Sequence, residues 1–420
     1  MPWWQRIRLL SIFNTGLVID GKNKISLQRS MQHAVVLAPS GMGKSTSYVI
    51  PNLLSLKHAS AVVTDPSGEL YTLTAPYLQK KNFIVRTLDF RSAKPSFQYN
   101  PLHRAASFTD IQKISSILID ATLQSNAENS FWNDSAKSLL ALLIRYLRLS
   151  QEKAPTLLQL FTLVNQLSFK RKAIEKKMLT VFSDSDFSIY KAFISQEERI
   201  ISNVLSTIKT ALSKLSDPQI AHLTAQETLC FESLRTQKTV LFLIVPEHEM
   251  TYYSFLLTLF YTQLFQFAMA LPKKDKPYLP LFFFLDEFAA LNKIDQFPMF
   301  INTMRKRSCS CSIILQEMRQ LTSIYGPNDA AAIAFGGCSN HIYFPGLGID
   351  TCLQLEKILG STFVKTDPNK IPQKKPLMTV DQIRTMDGKA LFITSNKRPI
   401  LVKIRPWFKQ WKLRRKVRLR

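Results

Sequence analysis

One stretch constrains the fold of this chain more than any other: HAVVLAPSGMGKSTSYVIPNLL, running from His33 to Leu54. HAVVLA reads as a short buried strand, a glycine-containing turn comes next, and helical spacing resumes to about Ser55. Strand, loop and helix in that order form the setting in which backbone N–H groups and a helix N-terminus cradle phosphate. The pattern G-x-x-x-x-G-K-[ST] is met everywhere except its first position, where Ala38 stands for glycine. That position is the least close to phosphate, so the change costs little. Gly41 and Gly43 permit backbone conformations that a Cβ hinders. Pro39, Ser40, Gly41, Met42, Gly43, Lys44, Ser45 and Thr46 are therefore the candidate nucleotide loop. Lys44 would sit on the β and γ phosphates and the Ser45 hydroxyl on Mg²⁺. On this stretch alone, an incidental glycine- and serine-rich turn remains the competing reading.

The surroundings extend the pattern. SAVVTD (60–65) is a second strand, a helix begins at about Gly68, and FIVRTLDF (83–90) is a third strand. Such βαβαβ alternation predicts an α/β fold with a mostly parallel sheet covered on both faces. It stops from about Asp110 to Thr228, a glycine-free stretch of consecutive helices in which SAKSLLALLIRYLRL and RIISNVLSTIKTALSKL are amphipathic. Strands then resume in KTVLFLIV, LPLFFFLDE, CSCSIILQ, NHIYFP and KALFITS. An all-α domain inserted into the α/β domain accounts for this order. The expected divisions are an N-terminal arm (1–30), a nucleotide-binding domain in two parts (31–109 and 229–404), the all-α domain (110–228) and a basic tail (405–420).

A second nucleotide element is expected at the end of another parallel strand, and LFFFLDEFAALNKI supplies it. The run Phe282 to Leu285 places Asp286 and Glu287 at a strand's C-terminal end, where open α/β sheets bind ligands. Asp286 would hold Mg²⁺ and Glu287 would polarise the attacking water as general base. Helix N-capping by Asp286 is the rival. The next strand ends in Gln316, placed to sense a γ-phosphate, with helix capping as its alternative. Between them, Arg305 and Arg307 of MRKRS would act in trans on a neighbouring subunit's nucleotide, or else form a solvated helix end or a DNA contact. DPSGEL (65–70) is a turn that starts a helix and brings Asp65 and Glu69 towards the same cleft.

Charge narrows the choice of partner. The chain carries 55 Lys and Arg against 30 Asp and Glu, a net +25, which favours polyanions such as nucleic acid or anionic headgroups. RPWFKQWKLRRKVRLR (405–420) holds eight of the cations and no acid; on a helix, Trp407 and Trp411 would form an aromatic stripe suited to single-stranded DNA or a membrane surface. Five sparse cysteines, with only Cys309 and Cys311 close together, fit a reducing cytosol better than a metal site. Thr251 to Leu271 has the length of a membrane span, but Thr258, Thr262, Gln263 and Gln266 share one side, so a buried helix is expected instead. MPWWQRIRLLSIF lacks a secretory pattern because Arg6 and Arg8 break its apolar run.

Taken in order, HAVVLAPSGMGKST, VVTDPSGELY, NPL (100–102), FWNDSAKSLL (131–140), FLDEFAAL, IILQEMRQLTSIYG and SNHIYFPGLGIDTCLQLEKILG (339–360) resemble the TraG/TraD-like coupling ATPases of conjugative type IV secretion. The resemblance covers roughly residues 15–400. It implies a RecA-like P-loop NTPase domain interrupted by an all-α domain, ATP and Mg²⁺ as ligands, and a homo-hexamer at the inner membrane. It also implies a relaxase and single-stranded DNA as cargo, and partners in the secretion channel. By the same likeness Lys44 and Ser45 match the Walker A residues, Asp286 and Glu287 match Walker B, and Gln316 matches the glutamine motif after it. Ser67 stands where many relatives have lysine.

The resemblance departs at the N-terminus, where relatives usually have membrane-spanning helices. A peripheral position on the cytoplasmic side is therefore expected, through a membrane partner or through Trp3, Trp4, Arg6 and Arg8 beside Ile7, Leu9 and Leu10. Two other functions share the fold: a coupling ATPase that selects protein effectors, and a nucleotide-binding adaptor that hardly hydrolyses. Glu287 argues against the adaptor, which needs no second carboxylate.

Overall fold

A computed structural model describes residues 9–91, 97–121, 130–270, 278–364 and 372–418. Trp3, Trp4, Arg6, Ile7 and Arg8 lie outside the described residues. The chain forms two compact units: one takes in residues up to Arg86, Phe231–Glu247 and Phe267 onward, the other Thr87–Cys230 and His248–Gln266.

The first unit is built on a sheet whose strands are, in chain order, β1 (Ala34–Leu37), β2 (Ser60–Asp65), β3 (Ile84–Asp89, divided between the units after Arg86), β4 (Thr239–Ile244), β5 (Leu281–Leu285), β6 (Cys309–Leu315) and β7 (Asn340–Tyr343). After the separate hairpin of β8 (Ser361–Val364) and β9 (Gln373–Pro376) come β10 (Lys389–Thr394) and β11 (Ile400–Lys403). The nine sheet strands lie in the order β11-β10-β7-β1-β6-β5-β2-β4-β3. From β7 to β4 each neighbour runs parallel, and β10 and β11 complete one edge antiparallel. Every residue of β1, β2, β4, β5, β6 and β7 is buried, and β1, β4 and β5 accordingly read as near-continuous apolar runs. The edge strand β11 alternates buried and exposed residues. All eight strands expected from apolar runs are present; β11 and the hairpin are additions, each strand only four residues long.

The N-terminal arm is packed into this unit. Leu9, Leu10, Leu17, Val18, Ile19 and Ile25 are buried. Buried Asp20 pairs with Arg405 and accepts from the backbone N–H of Lys22 (3.0 Å) and Asn23 (2.7 Å). The tail is folded too, but not as one helix. A 3₁₀ turn, Trp407–Lys409, and a helix, Trp411–Val417, are separated by extended Gln410, whose amide donates to the carbonyls of Gly21 and Arg405. Trp407 is therefore half-buried while Trp411 is 68% exposed, so the expected aromatic stripe does not form.

The second unit is helical. Its main helices are Phe108–Asp120, Ser130–Leu149, Leu157–Leu167, Asp184–Ile194 and Glu198–Leu212. Reciprocal capping boxes at Ser107/Asp110 and Thr156/Gln159 satisfy the first N–H groups of two of them. Glu198–Leu212 buries Ile201, Val204, Leu205 and Ile208 on one face, each worth about 1.5–3 kcal/mol. The unit starts at Thr87 and takes up 248–266, where the glycine-free stretch alone marks 110–228. Tyr99 explains part of the difference: its hydroxyl donates to Gln263 Oε1 (2.7 Å), and Gln263 Nε2 donates to the Pro101 carbonyl (2.9 Å). A polar side chain on the Met250–Met269 helix is thus satisfied inside this unit. Among the described residues no helix is long and apolar enough to cross a membrane.

Candidate nucleotide site

Sheet order decides which residues meet. β6 lies between β1 and β5, and β2 lies on the other side of β5, so four adjacent strands end side by side. Leu37 pairs with Leu315, Leu285 with Ile313 and Thr64 with Leu285, which levels those ends to within a residue or two. The segments leaving these strands therefore gather at one edge of the sheet: the glycine loop after β1, Asp286 and Glu287 after β5, Gln316 after β6 and Asp65 at the end of β2.

In the loop, Gly41 and Gly43 have φ of +78° and +85°, a left-handed conformation that suits glycine. A Cβ on Gly43 would also lie 3.0 Å from Thr46 Oγ1. Ser40, Gly41 and Met42 are exposed, whereas Pro39, Gly43, Lys44, Ser45 and Thr46 are half-buried. The helix after the loop opens with a π-helical segment, Ser45–Val49, and continues as Ile50–Leu53. Buried Tyr48 shares a hydrogen bond with Ser312 on β6 (2.8 Å) and anchors that helix over the sheet.

The side chains converge. Lys44 Nζ forms a close ion pair with Glu287 Oε1 and lies 3.5 Å from Asp286 Oδ1. Ser45 Oγ donates to Asp286 Oδ2 at 3.3 Å, and Gln316 Nε2 is 3.4 Å from both oxygens of Glu287. Glu287 itself has a left-handed backbone (φ +53°), which turns its side chain out of the strand direction. Neither carboxylate caps the 3₁₀ turn Phe288–Ala290, and the capping role after β6 falls to Glu317 with Gln320 rather than to Gln316.

Electrostatics follow from burial. Asp286 is 4% exposed; loss of solvent and repulsion from Glu287 raise its pKa, and Lys44 only partly offsets them. Burial alone would lower the pKa of Lys44, but the two carboxylates outweigh it and hold it above the ordinary lysine value. Asp286 Oδ1 is buried without a hydrogen-bond partner among the described residues.

Asp65 adds a charge that the DPSGEL turn only hints at. It is fully buried and accepts from the N–H groups of Gly68 (2.9 Å), Leu70 (3.3 Å) and Tyr71 (2.8 Å), fixing the turn that starts the helix Glu69–Lys80. Burial pushes its pKa up to about 6 against those three donors, and the charge of Asp286 adds to the rise. Glu69 is exposed on the first turn.

Two glycines after β7 come close to this region unannounced by the motif itself, one to the loop and one to Glu317 after β6. Gly346, in the PGLG stretch after β7, has φ +80°, and a Cβ there would lie 3.7 Å from Met42 Cε and 3.8 Å from Pro39 Cγ. A Cβ on Gly348 would meet Glu317 Oε1 at 3.3 Å. Two glycines just past a buried strand are the signal that points to them. Arg305 and Arg307, by contrast, lie in a 3₁₀ turn ahead of β6, at the opposite end of that strand from Gln316. They do not enter their own chain's site. Arg305 is exposed, and half-buried Arg307 donates to the Thr303 carbonyl (3.4 Å).

Comparison with known proteins decides the family. The model of the family described as "Type IV secretory system Conjugative DNA transfer" matches residues 12–418. The chain belongs to that family. Its relatives within the family include Protein VirD4 of Rhizobium radiobacter, 24% identical over 88% of this chain and 56% of that protein. Another is Conjugal transfer protein TraG of Escherichia coli, 24% identical over 82% of this chain and 58% of that protein. The chain thus spans little more than half the length of these curated relatives. Among solved structures it is similar to plasmid coupling protein TrwB in complex with ADP and Mg²⁺, with a TM-score of 0.75 at 16% identity, covering 93% of this chain and 89% of that one. The fold is accordingly RecA-like, a P-loop α/β architecture.

Proposed function

We propose that this member of the conjugative DNA-transfer family is a coupling ATPase that uses ATP hydrolysis to recruit a relaxase–DNA complex and drive single-stranded DNA into a type IV secretion channel. The observation that carries the reading is the meeting of Lys44, Ser45, Asp286, Glu287 and Gln316 at one sheet edge. The likeness to TrwB, a coupling protein solved with ADP and Mg²⁺, supports it.

The residues fit a nucleotide with Mg²⁺. Ser45 Oγ and Asp286 Oδ2, 3.3 Å apart, are the hard oxygen donors that Mg²⁺ takes, and buried Asp286 Oδ1 has no hydrogen-bond partner among the described residues, with Lys44 Nζ 3.5 Å away. When bound, Mg²⁺ supplies positive charge against the charge that develops on the phosphoryl oxygens. Lys44 holds the β and γ phosphates, and in turning to them it releases Glu287. The freed carboxylate accepts a proton from water as the water oxygen bonds to the γ-phosphorus and the bond to ADP breaks. Gln316 orients that carboxylate. Exposed Arg305 is the better placed of the two arginines to reach the nucleotide of a neighbour in a homo-hexamer. At the inner membrane the chain is held by a partner or by peripheral contact.

Steady-state ATP hydrolysis with and without single-stranded DNA tests the reading. Stimulation by DNA that disappears in Lys44→Ala and Glu287→Gln supports the motor. Hydrolysis indifferent to DNA would instead indicate a receptor for protein cargo, and no hydrolysis under any assembly condition would indicate a nucleotide-binding adaptor.

A further inference from the structure

The other edge of the α/β unit, where the strands begin, carries a feature that nucleotide chemistry does not use. A cavity of about 380 Å³ opens between the N-terminal arm and the loop after the helix Ile50–Leu53. Its floor is apolar, formed by Leu17, Leu56, Phe282 and Phe284, and its rim carries Lys24, Lys57 and His58. Among the described residues, no Asp or Glu lines it. At the mouth, Ile12 and Phe13 are 49% and 87% exposed.

More cations crowd in from neighbouring elements. Lys416, on the C-terminal helix, donates from Nζ to the Leu54 carbonyl (2.7 Å) and lies 4.8 Å from the centre of the Tyr77 ring. Burial and then the charges of Lys57 and Lys416 lower the pKa of Lys24; burial and then Lys81 and Lys57 lower that of Lys416. Lys24 and Lys416 therefore each feel the charge of Lys57, and Lys416 that of Lys81 as well.

An exposed phenylalanine and isoleucine beside crowded ammonium groups suit a boundary that is anionic outside and apolar within. Lysine stems lie along apolar surface while their charges stay at headgroup level. Single-stranded DNA would meet the cations and stack a base on Phe13, but it would leave Ile12, Leu17 and Leu56 unused, since its affinity comes from phosphate and from bases on aromatic faces. We propose that this edge docks on an anionic phospholipid surface, with Ile12 and Phe13 entering the acyl layer and Lys24, Lys57 and Lys416 meeting the headgroup phosphates. The proposal rests on the proposed inner-membrane placement and uses none of residues 1–8.

The test is flotation of the full chain with vesicles of phosphatidylcholine alone or mixed with phosphatidylglycerol. Wild type should float with the anionic vesicles and lose them at high salt. Each cation near such a surface contributes roughly a fivefold gain in partitioning, so Lys24→Gln/Lys57→Gln/Lys416→Gln should weaken binding by about 100-fold. Phe13→Ser, at a position too exposed to threaten folding, should weaken it about tenfold while keeping the salt dependence. Wild type that floats with neither vesicle would overturn the membrane placement itself. Flotation of the triple variant equal to wild type would leave that placement standing and overturn this docking surface. Loss of single-stranded DNA binding in the triple variant with flotation unchanged would reassign the edge to nucleic acid and likewise overturn the proposal.

Discussion

The two edges of the central sheet treat charge in opposite ways. Where the strands end, the loop lysine has its anions: Lys44 lies against Glu287 and Asp286, and Ser45 and Gln316 bond the same two carboxylates. Where the strands begin, Lys24 and Lys57 line a cavity without a carboxylate among its described lining residues, and Lys416 adds its charge to theirs. Paired charge in a buried place is held in readiness, since a phosphate can replace one partner without leaving the other bare. Crowded like charge on an open edge awaits a partner from outside the chain. The contrast separates a chemical pole from a binding pole within one unit.

The severest challenge to this contrast lies at the chemical pole. Glu287→Gln should lower ATP hydrolysis by at least about 100-fold while nucleotide still binds, and flotation with anionic vesicles should be unaffected. Loss of both activities together would mean that the poles are not separable. Next in size is the pair that holds the arm to the tail: Asp20→Ala leaves Arg405 without its buried partner and should cost about 3 kcal/mol in unfolding free energy, read from denaturant midpoints.

Asp65 probes the chemical pole through pH. Its folded pKa, about 6, lies above the ordinary aspartate value of 3.8, so the folded chain keeps a proton that the unfolded chain gives up. Stability from this group is full below about pH 4 and falls as pH rises to about 6, by roughly 3 kcal/mol in all. The stability of Asp65→Asn relative to wild type should therefore improve across that window in pH-resolved denaturation, and a flat difference would mean an ordinary carboxyl. The smallest effect belongs to Phe13→Ser, which should change thermal stability by no more than about 0.5 kcal/mol because the ring packs on little.

Much of the chemical pole is legible in the sequence because its determinants are local. An apolar run ending in Asp286 and Glu287, or one ending in a glycine loop, states both the strand and the groups that project from its end. Parallel order then brings those ends together without further information from side chains. Asp65 is legible only as a turn residue, since its charge coupling to Asp286 depends on β2 lying beside β5, a fact of sheet order. Arg305 and Arg307 adjoin β6 in sequence, yet the seven residues of that strand carry them to the far edge. The binding pole is hardly legible at all: Phe13, Lys57 and Lys416 are remote in the chain, and each by itself is an ordinary surface residue. The tail misleads for a related reason, because helical spacing between Trp407 and Trp411 ignores a bond that Gln410 makes to the opposite end of the chain.

Asn52 joins the two poles. Its amide accepts from the Val18 N–H (2.8 Å) and donates to the carbonyls of Val18 (2.9 Å) and Tyr48 (2.8 Å), so a side chain and a backbone segment grip each other much as two strands do. Asn52 sits in the same run of helix that opens at Ser45, one residue after the loop lysine. The arm at Val18 is thereby bonded directly to the helix that begins behind the phosphate loop. Whatever moves Val18 must therefore either break these bonds or carry with it the helix that follows Lys44.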